Sequence, residues 1–250
     1  MCHDNGDARP NGDYSSVQER NITIGADGVD LPVFVAEPGG ASRGQVVVIS
    51  DIWGANNFYH DLARRIAGSG YTAYLPDMFV RQGPLAEQTR DAARARGGKL
   101  DYMQAMADVS HLIDQQGEEG GTFGVIGFCM GGTLVMHLAT RERRLAAGVI
   151  YYGFPANPTI TASRPSEPLR ETKLVDMPLL GFWGDQDHGV GMHNVQQYST
   201  QLDAGGKEHD FTIYPGLPHA FLTFDEGKEH SQESQQSWQR TLEFFGEKLS

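Results

Sequence analysis

The sequence predicts an α/β protein with a mostly parallel central sheet and helices on both faces. Short continuous apolar runs, such as residues 44–51, have the composition of strands that are covered on both sides. Between these runs, apolar residues recur every three or four positions, a spacing that is typical of amphipathic helices. The alternation of the two patterns along the chain favours parallel strands joined by crossover helices.

The predicted elements begin with an antiparallel hairpin over residues 21–38, where two β-type runs flank a Gly/Asp turn. Six further strands are predicted, over 44–51, 71–77, 122–128, 145–153, 177–185 and 211–216. Helices are predicted over 130–140 and along three apolar stripes, formed by Phe58, Leu62 and Ile66, by Tyr102, Met106, Val109 and Ile113, and by Trp238, Leu242, Phe245 and Leu249.

The domain organisation is expected to be simple. Residues 1–20 are interpreted as a polar N-terminal tail and residues 21–250 as a single α/β domain. The Pro/Ser/Thr-rich stretch 154–176 is interpreted as an excursion from the sheet rather than a boundary. A chain of 250 residues is long enough to bury a substantial core.

Composition argues against several classes of partner. The formal net charge is −12 and basic residues are scattered, which disfavours nucleic acid and anionic membranes. No signal-peptide pattern and no apolar run of membrane-spanning length is present. Only two cysteines occur, Cys2 and Cys129, so a disulfide framework is not expected. We expect a cytoplasmic protein, a monomer or small homo-oligomer, that acts on a small molecule.

The most informative motif is GFCMGG, residues 127–132. Gly127, Cys129 and Gly131 reproduce the spacing of the strand-to-helix turn that carries the nucleophile in α/β-hydrolases, with a thiol in place of the usual hydroxyl. The following helix begins beside Cys129, and its dipole favours a thiolate. The alternative is a small buried cysteine in a glycine-lined turn, which the motif alone does not exclude.

The remaining members of a catalytic triad are sought at the carboxyl ends of later strands, in the order acid and then histidine. Asp185 and Asp187 follow the strand 177–185, and His219 follows the last strand in a Gly/Pro-rich loop. Asp187 is preferred because Asp185 lies closer to the strand and is suited to capping the turn. His188 is the alternative candidate for the catalytic histidine, but a residue adjacent to Asp187 in sequence is expected to point its side chain away from that carboxylate.

Two further patterns concern the same edge of the sheet. A metal site is also permitted by Asp185, Asp187, His188 and His193. No second cluster of ligands completes it, so neither a metal nor a cofactor is predicted.

An oxyanion hole requires two backbone N–H groups. Met130, directly after the nucleophile, and Ile52, in the loop after the strand 44–51, are the candidates.

With these residues placed, the chain resembles the dienelactone hydrolase (carboxymethylenebutenolidase) family from the hairpin to the last helix. The family has a cysteine in the G-x-C-x-G turn, an aspartate in a G-x-x-D turn and a histidine after the last strand. Cys129, Asp187 and His219 match these positions. The resemblance also implies that Arg81, in LPDMFVRQGP, helps to hold a substrate carboxylate.

Two positions depart from the family pattern. Asp51 stands where the best-known members have a glutamate that helps to deprotonate the thiol, and a loop-capping role is the alternative. Thr223 stands four residues after His219, where members that cleave dienelactone have a second carboxylate-binding arginine. The missing arginine disfavours dienelactone itself as the substrate.

The resulting hypothesis is a hydrolase of small esters or lactones that works through a thioester on Cys129. Trp53, Tyr152, Phe221 and Phe79 are candidates for an apolar substrate pocket, with ordinary core packing as the alternative. A thioesterase or a broad carboxylesterase is the nearest rival hypothesis. A non-catalytic ligand-binding protein, or a redox sensor with Cys2 as resolving thiol, is the rival of another class.

Overall fold

Eight strands form one sheet in the order β1-β2-β4-β3-β5-β6-β7-β8. The structure is a computed structural model that describes residues 3, 12, 14–117, 121–156 and 160–249. The strands are β1 (Gln18–Ala26), β2 (Val29–Glu37), β3 (Gln45–Ile49), β4 (Thr72–Pro76), β5 (Phe123–Phe128), β6 (Leu145–Tyr151), β7 (Leu179–Gly184) and β8 (His209–Tyr214). β1 and β2 pair antiparallel, as do β2 and β4, and all other neighbours are parallel. The predicted fold class and the N-terminal hairpin are confirmed.

Seven helices connect and flank these strands. They are α1 (Asn57–Gly68), α2 (Arg90–Gly97), α3 (Tyr102–Gln116), α4 (Met130–Leu138), α5 (Pro168–Glu171), α6 (Met192–Ala204) and α7 (Ser231–Lys248), and a short 3-10 helix, Thr172–Leu174, follows α5. None of the helices in the described ranges has both the length and the apolar character that crossing a bilayer requires.

Three of these helices, α2, α5 and α6, were not predicted. α6 buries only Val195, Tyr198 and Leu202 within thirteen largely polar residues, so its apolar stripe is narrow. α2 buries only Ala93 and Gly97, which give no helical periodicity in apolar side chains. Tertiary contacts rather than an apolar sequence pattern stabilise these segments as helices.

The N-terminal region also differs from the prediction. β1 begins at Gln18, so the last three residues of the predicted tail belong to the hairpin. His3 lies within the predicted polar tail, yet only 2% of its surface is exposed. Cys2, the candidate resolving thiol, lies outside the described residues. Part of the tail is therefore packed against the folded domain.

The strands at the centre of the sheet are buried, so polar functional residues are confined to the loops at the sheet edges. Every residue of β5 is buried, and Val46–Ile49 of β3 are fully inaccessible. Because β3, β5, β6, β7 and β8 are parallel neighbours, the loops that follow them meet at one edge. Cys129, Asp187 and His219 all lie in such loops.

Candidate active site

Cys129 lies on a strained turn between β5 and α4. Its backbone has φ 54° and ψ −113°, a conformation that non-glycine residues rarely adopt. The turn also requires small neighbours: a Cβ atom at Gly127 would lie 2.2 Å from the Gly131 carbonyl oxygen, and one at Gly131 would lie 2.3 Å from that of Ile49. Both glycines of the motif are therefore required by close backbone approach, and the strain is concentrated at Cys129.

The first turn of α4 presents backbone N–H groups beside Cys129. The Cys129 N–H donates to the Tyr151 carbonyl oxygen at 2.9 Å, which ties the turn to the end of β6. Met130 is the first residue of α4, where an N–H group has no acceptor within the helix. The positive end of the helix dipole thus lies at the thiol and favours negative charge there.

Asp187 and His219 form a direct pair. His219 Nδ1 lies 2.5 Å from Asp187 Oδ2, and Asp187 Oδ1 accepts the Val190 N–H at 3.2 Å. An ionised carboxylate only accepts hydrogen bonds, so the imidazole Nδ1 carries the proton and Nε2 has the lone pair of a base. Asp185 Oδ1 instead accepts the Gly216 N–H at 2.7 Å, so the structure pairs Asp187 rather than Asp185 with the histidine.

Tyr152 connects the two parts of this sheet edge. Its ring lies 5.0 Å from the His219 ring between centroids, and it directly follows Tyr151, whose carbonyl accepts the Cys129 N–H. Tyr152 itself is fully buried with φ 42°. Cys129 has 6% of its surface exposed, whereas the His219 side chain has 16%. The histidine side chain is therefore the more accessible of the two.

The loop after β3 lies against the start of α4. Asp51 is fully buried, and its Oδ1 accepts the Trp53 N–H at 2.8 Å. A Cβ atom added at Gly97 would lie 2.8 Å from Ile52 Cγ2 and 3.9 Å from Met130 Sδ. The two residues predicted to form the oxyanion hole therefore share a contact at Gly97.

Arg81 and Thr223 have other partners than a substrate. The Arg81 guanidinium forms a bidentate ion pair with the buried Asp108 of α3, at 2.5 and 2.9 Å, and donates to the Ala26 carbonyl. The Thr223 N–H donates to Ser234 Oγ at 3.0 Å. A role of Arg81 toward a substrate carboxylate stays a prediction, and its bidentate ion pair argues against it.

Two arginines near the loop after β3 were not predicted from the sequence. Arg96 Nη2 donates to the Ile52 carbonyl at 3.2 Å and its guanidinium stacks on Phe79 at 4.1 Å. Arg164 Nη2 donates to the Gly97 carbonyl at 2.6 Å. Within the described ranges neither has a carboxylate within ion-pair distance. Burial lowers the pKa of Arg96, and the charges of Asp77 and Asp51 act in the opposite direction. No sequence motif marks either residue.

The predicted aromatic residues lie in two groups. Tyr152 and Phe221 are buried and their rings meet edge to face at 5.7 Å. Trp53 is half-buried beside a cavity of about 360 Å³ that Asn56, Asp77 and Arg96 also line. In the described part of the chain, no three His, Cys, Asp or Glu side chains are arranged to hold a metal ion.

Comparison with known proteins gives a consistent result. The model of the dienelactone hydrolase family matches residues 31–249. A carboxymethylenebutenolidase of Rhodococcus opacus is 31% identical over 247 residues, 98% of this chain and 96% of that protein. A solved Klebsiella pneumoniae structure assigned to the dienelactone hydrolases superposes with a TM-score of 0.85 at 25% identity, covering 92% of this chain and 98% of that one.

More distant structures share the fold alone. An acylaminoacyl peptidase superposes with a TM-score of 0.72 at 17% identity, over 93% of this chain but 42% of the peptidase. The chain thus has the α/β-hydrolase fold, and the family match extends over almost all of its length. This chain therefore belongs to the dienelactone hydrolase family and is a carboxylic ester hydrolase.

Proposed function

We propose that the protein hydrolyses small esters or lactones with a Cys129–His219–Asp187 triad. The observation that carries this proposal is the Asp187–His219 pair, which lies at the same edge of the sheet as the strained Cys129 turn. Acyl transfer requires a nucleophile, a histidine base and an acid that holds the imidazole tautomer. In this chain three separate loops carry the candidates for these roles.

The proposed reaction has two stages. His219 Nε2 accepts the thiol proton, and Cys129 Sγ attacks the acyl carbon while the N–H groups of Ile52 and Met130 bind the oxyanion. The carbon–oxygen bond of the ester breaks, and His219 returns the proton to the departing alcohol. His219 then takes a proton from water, whose oxygen attacks the thioester carbon. The carbon–sulfur bond breaks, His219 returns the proton to Cys129 Sγ, and the acid product departs.

The thiol nucleophile narrows the substrate class. A thiolate attacks an acyl carbon readily but also leaves readily, so esters with good leaving groups, enol lactones among them, suit it better than amides. Because Arg81 is paired with Asp108 and Thr223 replaces the second arginine, we propose that the substrate differs from dienelactone. A cytoplasmic location and a monomeric or small homo-oligomeric state also remain predictions.

Asp51 is better suited to positioning than to deprotonating the thiol. Its two carboxylate oxygens each accept a backbone N–H, from Trp53 at 2.8 Å and from His3 at 2.8 Å. These bonds hold the loop that supplies the Ile52 N–H. We therefore assign activation of Cys129 to His219.

The test compares wild type, Cys129→Ala and Cys2→Ser on dienelactone, p-nitrophenyl acetate and an acyl thioester. Cys129→Ala is expected to lower kcat by at least about 10³-fold, as loss of a nucleophile does, whereas Cys2→Ser retains activity. Mass spectrometry of the wild type mixed rapidly with substrate is expected to detect an acyl adduct on Cys129. Turnover that persists in Cys129→Ala would contradict the thiol mechanism.

A further inference from the structure

His3 lies beside the proposed site, in a binding site, here called the socket, formed by Asp51, Asn56, Phe58 and Tyr152. Its backbone N–H donates to Asp51 Oδ2 at 2.8 Å, and its carbonyl oxygen accepts from Asn56 Nδ2 at 2.5 Å. The imidazole Nε2 lies 2.6 Å from the Tyr152 hydroxyl. The backbone and the side chain of His3 thus both have polar partners within the domain, although the residue lies far from them in sequence.

The apolar side of the socket is equally specific. The His3 ring stacks on Phe58 with parallel planes and centroids 3.7 Å apart, and its edge faces Tyr59 and Phe128 at 6.2 and 6.3 Å. Asn56 both binds His3 and caps α1, because its Oδ1 accepts the Phe58 N–H at 3.0 Å. The residue is therefore held by a site that the rest of the fold already builds.

The socket lies across the nucleophile strand. Asp51 follows β3 and Tyr152 follows β6, and β5, which carries Cys129 at its end, lies between them in the sheet. The centroid of the Tyr152 ring lies 6.1 Å from that of the His3 ring and 5.0 Å from that of the His219 ring. His3 therefore spans the sheet edge next to the proposed triad.

We propose that His3 is a specificity-determining residue of this site, whose imidazole forms the wall between Asp51 and Tyr152 and limits the size of the substrate that fits beside Cys129. The proposal rests on the proposed function. His3 is 2% exposed, and its ring both contacts the Tyr152 hydroxyl and stacks on Phe58. A side chain packed in this way behaves as part of the wall rather than as a mobile group. His3 thus contributes to the proposed site from far outside the strands and loops that carry its other residues.

The test uses His3→Ala, His3→Phe and the matched control His193→Ala, an exposed histidine of α6. The values of kcat/KM are measured for p-nitrophenyl acetate, butyrate and octanoate. For His3→Ala the ratio of octanoate to acetate is expected to rise about tenfold, the usual effect of space for a few methylenes. His3→Phe retains the ring volume and is expected to keep the wild-type ratio, as is His193→Ala.

A second measurement does not depend on turnover. With Cys2→Ser in every variant, Cys129 is alkylated by N-ethylmaleimide and by the bulkier N-phenylmaleimide. His3→Ala is expected to raise the rate with the bulky reagent relative to the small one, and His3→Phe is not. Because this readout needs no ester, absence of hydrolysis in the wild type would overturn the proposed function while the role of His3 is still tested.

Three outcomes would overturn the proposal. Both size ratios could stay unchanged in folded His3→Ala, which would make His3 a structural anchor only. A rate increase equal for small and large reagents would identify a plug rather than a size-limiting wall. A loss of size discrimination in His3→Phe equal to that in His3→Ala would assign the effect to the bond with Tyr152. If His3→Ala fails to fold, His3→Ser, judged by near-UV circular dichroism, replaces it.

Discussion

Two histidine–carboxylate pairs in the described part of the chain, His219–Asp187 and His137–Glu171, differ in their place in the fold, their exposure and their further partners. His219 Nδ1 lies 2.5 Å from Asp187 in a loop at the carboxyl edge of the sheet, and His137 Nδ1, in α4, lies 2.9 Å from Glu171 at the end of α5. The His219 side chain is 16% exposed and that of His137 is 5% exposed. Only the first of these two pairs lies in loops at the same edge of the sheet as Cys129.

The second pair is also saturated with partners. Glu171 binds the Arg141 guanidinium through both oxygens and accepts the Ser166 hydroxyl at 2.6 Å. Burial alone would raise the pKa of Glu171, but the bonds from Arg141, His137 and Ser166 outweigh it and hold that pKa well below its ordinary value. A histidine–carboxylate pair is therefore a catalytic candidate because of its place in the fold rather than because of its residue types.

The largest expected effect separates the two histidines. His219→Gln is expected to lower kcat/KM by about 10⁴-fold, because it removes the base of the proposed mechanism. His137→Gln serves as the control and is expected to change kcat/KM by less than about threefold, within the range of indirect effects. Steady-state kinetics with p-nitrophenyl acetate measures both. Equal losses in the two variants would remove the distinction between the pairs.

The carboxylates provide the next test. Asp187→Asn is expected to lower kcat by about 10³-fold, because an amide no longer stabilises the imidazolium or holds the Nδ1–H tautomer. Asp185→Asn, two residues earlier in the same turn, is the matched control and is expected to retain activity, since Asp185 bonds Gly216 instead. Loss of activity in Asp185→Asn alone would contradict the assignment.

Glu171→Gln is expected to affect stability rather than activity. The free energy of unfolding should fall by about 1–3 kcal/mol at pH 7, because charged hydrogen bonds to Arg141 and His137 are lost. The folded pKa of Glu171 is depressed, so this contribution is fully present above the unfolded pKa of about 4.3 and is lost as the pH falls below it.

Urea denaturation at pH 7 and at pH 3.5 measures the stability difference between wild type and Glu171→Gln. The difference is expected to shrink at the lower pH, while kcat at pH 7 stays near that of wild type. A difference independent of pH would show that the carboxylate charge is not what stabilises this region.

The smallest expected effect concerns Arg96. Arg96→Gln is expected to lower kcat by about tenfold with little change in KM, because the Ile52 carbonyl loses the donor that holds the proposed oxyanion loop. Arg94→Gln, exposed on the same helix α2, is the control and should match wild type. A rise in KM with unchanged kcat would instead show that Arg96 binds substrate.

Local patterns determined much of this protein. The alternation of apolar runs with helical stripes predicted the parallel sheet and the hairpin, because burial on two faces constrains the composition of a strand wherever it lies. The GFCMGG motif predicted the turn at Cys129, since that turn requires small residues at Gly127 and Gly131. The order of the loops that carry Asp187 and His219 followed from the fold class.

Tertiary structure alone decided the remaining features. The helices α2 and α6 are largely polar in sequence, and tertiary contacts rather than a broad apolar stripe stabilise them. Arg81 pairs with Asp108 and His3 reaches Asp51 across 48 positions of sequence. Such contacts join residues that share no local pattern, and their geometry exists only once the chain has folded. Composition and spacing therefore predicted where the site lies, while long-range packing decided which side chains surround it.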